Sequence, residues 1–137
     1  MQKYNVIMVI NKAFDKLLMC KRKNEPYKGL LNLVGGKVEA NENNIDGAYR
    51  ELLEETGISN NDISLIHIMN FDYLIDKVEV QFFAGALNKE VTLEEEINAL
   101  CWIDITENFF DKNKFAGEGN IGHMLEHALI NRKYLEK

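Results

Sequence analysis

Residues 36–58 place carboxylates where a divalent cation could be held. The stretch reads GKVEANENNIDGAYRELLEETGI: Gly36, five residues, Glu42, seven residues, then Arg50-Glu51-Leu52-x-Glu54-Glu55-x-Gly57-Ile58. At about 100° per residue on a helix, Glu51, Glu54 and Glu55 fall within an arc of about 100° and stand side by side as i, i+3 and i+4. Ile45, Ala48, Tyr49, Leu52 and Thr56 form a separate stripe suited to burial. Like charges at this spacing repel by a few tenths of a kcal/mol per pair. A helix that keeps them is explained by a cation, and hard carboxylate oxygens suit Mg²⁺ or Mn²⁺. Gly47 falls inside the acidic arc, where a missing side chain would leave room for an ion and its ligand. Gly35 and Gly36 allow close backbone approach to a ligand, and Gly57 stands where a left-handed C-cap is expected. A solvated acidic face would explain three glutamates alone, but not the flanking glycines.

The elements that must position this cluster follow from patterning. Residues 5–10 are an apolar run and residues 16–22 alternate into a second, with 11–15 as a hairpin connection. Residues 30–34 are a short apolar segment ending at the glycine pair. Asn43 or Asn44 can cap a helix that runs to about Thr56. Residues 63–73 and 78–87 are strand-like and joined through 74–77, after a polar turn at 59–62. An acidic loop, 88–98, carries Glu94, Glu95 and Glu96 and leads into a final strand at 99–103 with the only tryptophan, Trp102. After an irregular stretch at 109–119, a closing helix covers residues 121–134. Mixed strands with a helix on each side predict an α/β layered arrangement, with residues 1–137 forming one domain.

Composition narrows the partners. The 137 residues are 46% hydrophobic and 28% charged, with a net charge of −6. That balance argues against a nucleic-acid polymer, which would select a basic stripe. A polyphosphate remains compatible if metal ions stand between the two sets of negative charge. No apolar run approaches the ~18 residues of a membrane span, and residues 1–4 lead into a strand with no signal-peptide pattern. Cys20 and Cys101 lack CxxC spacing and read as reduced thiols. A cytoplasmic protein is expected, as monomer or homodimer.

Two further motifs carry less. Gly117-Glu-Gly119-Asn-Ile-Gly122 matches G-x-G-x-x-G, but no strand precedes it and no second strand follows, so it reads as a flexible lead into the last helix. His123-x-x-Glu126-His127 has the inverted zinc-peptidase spacing, yet the chain has little room for a third ligand downstream; these read as partly exposed helix histidines. His67 stands in a strand with no ligand neighbour in sequence.

Every constrained position of residues 36–58 agrees with the Nudix box, and on that motif the chain resembles the Nudix hydrolases. The likeness extends over most of the chain, although the box is its one highly specific part. The element order is similar to their α/β/α sandwich with a mixed β-sheet, and Trp102 after an acidic loop is a habitual family feature. Many members carry Pro-Gly-Gly before the box helix where this chain has Val34-Gly35-Gly36, which implies altered loop rigidity rather than lost chemistry.

The resemblance implies attack of water on a phosphorus of a nucleoside diphosphate linked to another moiety. It implies Glu51, Glu54 and Glu55 as ligands of Mg²⁺, with Mn²⁺ able to substitute and the Gly36 carbonyl as a further ligand. Glu51 could also serve as the base, with Glu54 beside it in the catalytic set. Arg50 is expected to hold Glu42 and orient a glutamate, and Lys37 either reaches a phosphate or stays solvated. Family members often use a glutamate in the loop before the last strand, so Glu94, Glu95 and Glu96 are candidates for an outside base or ligand.

Within the family, residues 32–38 and 45–52 are similar to the oxidised-purine nucleoside triphosphatases that convert 8-oxo-dGTP to monophosphate and pyrophosphate. Asn32 lies where that group places an asparagine against the base; an amide can pair bidentately with a purine edge. The group's neighbouring tryptophan is Leu31 here. Asn120 is a second base-reading candidate, or simply an N-cap. ADP-sugar members carry a proline past the box, whereas the only proline here is Pro26, which disfavours that branch. Dinucleoside polyphosphate members carry a tyrosine in that region, for which Tyr73 is placed. Non-catalytic Nudix-like sensors usually have a degraded box, and this one is intact.

Overall fold

The first strand organises the molecule. The computed structural model describes residues 2–136; Met1, at the head of the N-terminal run, and Lys137 lie outside the described residues. Strand β1 spans Gln2–Ile10, longer than the apolar run at 5–10. It pairs in parallel along its whole length with β6 (Val78–Ala86), from Gln2↔Val78 to Ile10↔Ala86. Ladder hydrogen bonds therefore carry the polar residues 2 and 3 into the strand, which no hydrophobic pattern could announce. Beyond β6 lies β5 (Ile66–Tyr73), antiparallel.

The other edge of β1 is shared. The hairpin to β2 (Lys16–Lys21) holds only at Ile10↔Leu17, after which the two strands part. Asn11 closes this turn by accepting the N–H groups of Asp15 and Lys16 at 2.9 and 3.0 Å. Into the fork come β3 (Leu31–Asn32), paired with β2, and β4 (Val34–Lys37), paired antiparallel with β1 from Ile7↔Val34 to Tyr4↔Lys37. The sequence placed a short segment at 30–34. The strand instead continues through the glycine pair, because β1 offers it a free edge. The outer side of β2 takes β7 (Ala99–Asp104).

Period-two alternation sends side chains to both faces of this mixed sheet. Met8, Ile10, Leu17, Met19, Phe82 and Ala84 pack toward α2 (Asn120–Ile130). Ile7, Val9, Leu18, Cys20 and Phe83 pack toward α1 (Asn44–Thr56). The result is an α/β/α sandwich, as the box resemblance implied. The closing helix expected at 121–134 is two pieces, α2 and α3 (Arg132–Leu135). Asn131 ends the first by donating its side-chain amide to the His127 carbonyl at 2.8 Å. No helix among the described residues is long and apolar enough to cross a membrane.

Helix α1 carries signals at both ends. The Asn43 side chain accepts the Asp46 N–H at 2.9 Å. Gly57, at φ 79°, is the left-handed C-cap and donates to the Leu53 carbonyl. Ala48, Leu52 and Thr56 are buried on the stripe read from the sequence, with Ile45 and Tyr49 packed at its margin. Leu52→Ala should therefore cost about 3 kcal/mol in urea denaturation. Leu53→Ala, one position on and 52% exposed, should stay within about 0.5 kcal/mol. Equal losses would show that α1 does not present this face to the sheet.

Candidate active site

Every N–H of the Arg50 guanidinium is engaged. Nε and Nη2 grip the two Glu42 oxygens at 2.6 and 3.0 Å, and Nη2 also donates to the Lys37 carbonyl at 3.0 Å. Nη1 donates to Glu51 at 3.0 Å and to Glu54 at 3.1 Å. The fork uses all five donors that an arginine has. Glu42, which also accepts the Glu39 N–H, is held below the usual carboxylate range chiefly by its hydrogen bond from Arg50. It reaches Arg50 across Gly47: a Cβ there would lie 2.8 Å from Glu42 Oε1. The space at Gly47 thus admits the Glu42 carboxylate, a correction to the expectation that it would admit an ion.

Gly36 serves Glu51 in the same way. A Cβ on Gly36 would fall inside the Glu51 carboxylate, so strand β4 and helix α1 meet this closely only because residue 36 has no side chain. The Gly36 N–H is accepted by Asn5 Oδ1 on β1 at 3.0 Å. Burial raises the Glu51 carboxyl above its ordinary range, with the Arg50 hydrogen bond opposing. Glu55 is pushed up to about 7, first by burial and then by the charge of Glu51, against a hydrogen bond from the Gly35 backbone.

The acidic loop divides its three glutamates. Glu96 lines a small cavity of about 50 Å³ with Glu55, Ile97, Asn98 and Leu100, and its charge helps raise both Glu51 and Glu55. Glu95 is committed to the loop, its Oε2 accepting the Leu100 N–H at 2.7 Å. Glu94 packs beside Gly57.

Glu51, Glu54 and Glu55 occupy one face of α1 without converging on a point. Among the described residues no group of three or more His, Cys, Asp or Glu side chains is gathered as a metal-holding cluster. The reason is that Arg50 draws Glu51 and Glu54 to Nη1, whereas Glu55 lies with Gly35 and Glu96. The donor set still fits a hard divalent cation. One guanidinium faces Glu42, Glu51 and Glu54, and no ion pair among the described residues reaches Glu55. The negative charge is therefore in excess where burial makes it costly.

Away from the helix, Asn32, Tyr73 and Asn120 line one cavity of about 400 Å³, together with Tyr27, Arg22 and the β1 residues Tyr4 and Val6. Asn120 is not an N-cap. Gly119 holds that position, and the Asn120 amide donates to the Tyr73 hydroxyl at 2.7 Å. Asn32 Oδ1 accepts the Leu33 N–H at 2.8 Å. A second cavity of about 160 Å³ holds Gly36 and Glu55 and shares Tyr4, Val6, Arg22 and Asn32 with the first. Arg22 was missed in the sequence, where it reads as the polar end of an alternating strand. Asn5 was missed inside an apolar run, although a buried polar residue there is itself a signal. The Lys37 side chain is exposed, and it is the carbonyl of Lys37 that meets Arg50.

His123 and His127 are exposed on α2, His123 packing edge-on to Phe110. Gly117 and Gly119, at φ 83° and 92°, form the turn into that helix. His67 stacks on Phe83 and bonds Asn70 at 2.6 Å.

Residues 1–125 match the family model described as the NUDIX domain, and the chain belongs to that family. An ADP-ribose pyrophosphatase of Methanocaldococcus jannaschii is 33% identical over 88 residues, 56% of this chain and 52% of that protein. The chain thus spans about half the length of the curated relative it matches. A C. elegans Ap4A hydrolase superposes with a TM-score of 0.76 at 17% identity, covering 98% of this chain and 99% of its own. A MutT from a study of Aliivibrio salmonicida and Vibrio cholerae gives 0.72 at 21%, covering 94% and 98%. At such identities these structures are similar in fold.

An alanine in the interior of a helix ordinarily stabilises by about 1 kcal/mol over glycine. Gly47→Ala should do the reverse, losing about 1 kcal/mol or more because Glu42 must leave the Arg50 fork. Urea denaturation measures the sign, and a gain in stability would mean the clamp is dispensable.

Proposed function

We propose that this protein hydrolyses a phosphoanhydride in a nucleotide, and that its preferred substrate is a purine nucleoside triphosphate, oxidised purines such as 8-oxo-dGTP included, cut to monophosphate and pyrophosphate. The observation that carries this reading is that the two cavities share Tyr4, Val6, Arg22 and Asn32 in their linings. A base held between the Asn32 and Asn120 amides would send its phosphates past Arg22 toward Glu55 and Gly36. Arg22 is steadied there by donating to the Pro26 carbonyl at 2.7 Å, and guanidinium suits phosphate.

Glu51, Glu54, Glu55 and the Gly36 carbonyl would hold Mg²⁺ or Mn²⁺, with Glu96 beside them. Such an ion supplies charge neutralisation of the anhydride and a more acidic water. The protein's own groups do the rest. Glu51, as the carboxylate, takes the proton as the water oxygen bonds to phosphorus. The bridging P–O bond breaks, and its electron pair leaves with pyrophosphate. Arg50 keeps Glu51 and Glu54 in place and touches no substrate atom.

A second reading has one specific support: the archaeal relative of 33% identity is named an ADP-ribose pyrophosphatase. Both substrates present a nucleoside diphosphate, and a panel of 8-oxo-dGTP, dGTP, dCTP, ADP-ribose and Ap4A ranked by kcat/KM separates them. Glu54→Gln and Glu55→Gln should each lower kcat at least ~100-fold on the best substrate, and chelation should abolish turnover until Mg²⁺ is restored. Folded variants at wild-type rates would refute the site assignment.

Asn32→Ala should lower kcat/KM for the best purine triphosphate by about 1–3 kcal/mol, the size of a bidentate base contact. A pyrimidine triphosphate should change much less. Equal losses would reduce Asn32 to support of β3, and Asn120 would then be the residue to vary.

A further inference from the structure

Two buried polar atoms have no hydrogen-bond partner among the described residues: Asn5 Nδ2 on β1 and Gln81 Oε1 on β6. Their residues are 1% and 0% exposed, and they stand opposite each other in the parallel ladder. One atom is a donor and the other an acceptor, so the deficits are complementary. Adjacent strands lie about 4.8 Å apart, and a small side-chain rotation can bring the two amides together. Each unmet group costs about 1–3 kcal/mol. Apolar residues at both positions would avoid that cost, so the polar pair needs a use.

The other half of each amide shows where that use lies. Gln81 Nε2 donates to Glu79 at 3.1 Å, which anchors Gln81. Asn5 Oδ1 accepts the Gly36 N–H at 3.0 Å. The orientation of the Asn5 amide follows from that contact, because a flip would turn its NH₂ onto the Gly36 N–H. The Glu51 carboxylate fills the space that a Gly36 Cβ would need, and Gly35, at φ 150°, sits against the Asn5 carbonyl with no room for a side chain. Asn5 also lines the cavity that holds Gly36 and Glu55.

We propose that Asn5, braced by Gln81, is a positioning residue for the acidic site. It fixes the Gly36 peptide unit, and with it the seat of the Glu51 carboxylate and the direction of the Gly36 carbonyl. This inference rests on the metal-dependent reading of that site. Outer partners of metal ligands commonly contribute about 10–100-fold in affinity or rate, and Asn5 belongs among them.

The test uses Asn5→Leu, Asn5→Asp and Gln81→Leu in the full chain. Three readouts are needed: exchange of the Gly36 amide by NMR without metal, Mn²⁺ affinity by calorimetry, and kcat with KM for the nucleotide. Asn5→Leu should speed Gly36 exchange, weaken Mn²⁺ binding about tenfold and lower kcat similarly, with KM little changed. Asn5→Asp keeps an oxygen for the Gly36 N–H and should restore its protection. If Asn5→Leu fails to fold, Gln81→Leu carries the test, removing the brace while leaving Asn5 in place, and it should move exchange and Mn²⁺ affinity in the same directions. Unchanged Gly36 exchange and Mn²⁺ affinity in the folded variant would overturn the proposal. Glu54→Gln is the control. If it weakens Mn²⁺ binding and Asn5→Leu does not, the positioning role alone falls. If Glu54→Gln leaves Mn²⁺ affinity at the wild-type value, the metal reading falls and this inference with it.

Discussion

The Arg50–Glu42 fork is the interaction on which the site depends, because it ties the loop before α1, the end of β4 and the acidic face of the helix to one planar group. Glu42 lies in that loop, Lys37 ends β4, and Glu51 and Glu54 lie on the helix. A lysine has three donors on a flexible stem and could not reproduce five bonds in one plane. Of the three carboxylates that Arg50 bonds, Glu42 is gripped through both oxygens. The strongest part of the clamp is thus spent on fixing the backbone around the site, while Glu51 and Glu54 each receive one bond. That division leaves one oxygen of Glu51 and one of Glu54 without a bond from Arg50.

The placement of the site follows from the fork between β1 and β2. Because those strands separate beyond Ile10↔Leu17, the segment carrying Asn32 and the glycine pair enters between them. Asn32 bonds to the β2 side and Gly36 to the β1 side, so one short stretch links the large cavity to the acidic helix. Glycine is required at 35 and 36 for two different neighbours, the Asn5 carbonyl below and the Glu51 carboxylate above.

Helix α1 was legible in residue types because its stripe and carboxylates obey a 3.6-residue period and its cap residues, Asn43 and Gly57, stand at the two ends. The layered α/β arrangement was legible for a similar reason, since alternation in β1, β2 and β6 feeds both faces. What could not be read depends on partners distant in sequence. Residues 2 and 3 join β1 because β6 pairs them, and the strand runs through Gly35 and Gly36 because β1 offers an edge there. Gly47 was correctly singled out but given the wrong occupant, since nothing in helical spacing says that Glu42 folds back over it. Glu94, Glu95 and Glu96 are adjacent and chemically identical, and only the loop conformation separates Glu95, bound to the Leu100 N–H, from Glu96, which faces Glu55. Asn5 was hidden inside β1, and Arg22 by its place just past the end of β2.

Charge explains why this arrangement is kept although it strains the folded state. Arg50 brings one positive charge to Glu42, Glu51 and Glu54 and none to Glu55, while Arg22 lowers the Glu55 carboxyl only weakly against burial and the charges of Glu51 and Glu96. A protein selected for stability alone would gain from an apolar residue at 55, since a half-buried carboxylate without an ion-pair partner is costly to hold. Keeping Glu55 beside Glu51, with a single arginine shared among Glu42, Glu51 and Glu54, leaves a deficit of positive charge on this face of the helix. The cavity that reaches this face also passes Arg22, which can attract phosphate oxygens without cancelling the deficit. One cavity lining thus carries groups of opposite sign, the Glu55 carboxyl and the Arg22 guanidinium. Under the function proposed above, a phosphate chain carrying a divalent ion would match that pattern in a way that neither a free cation nor a free anion would.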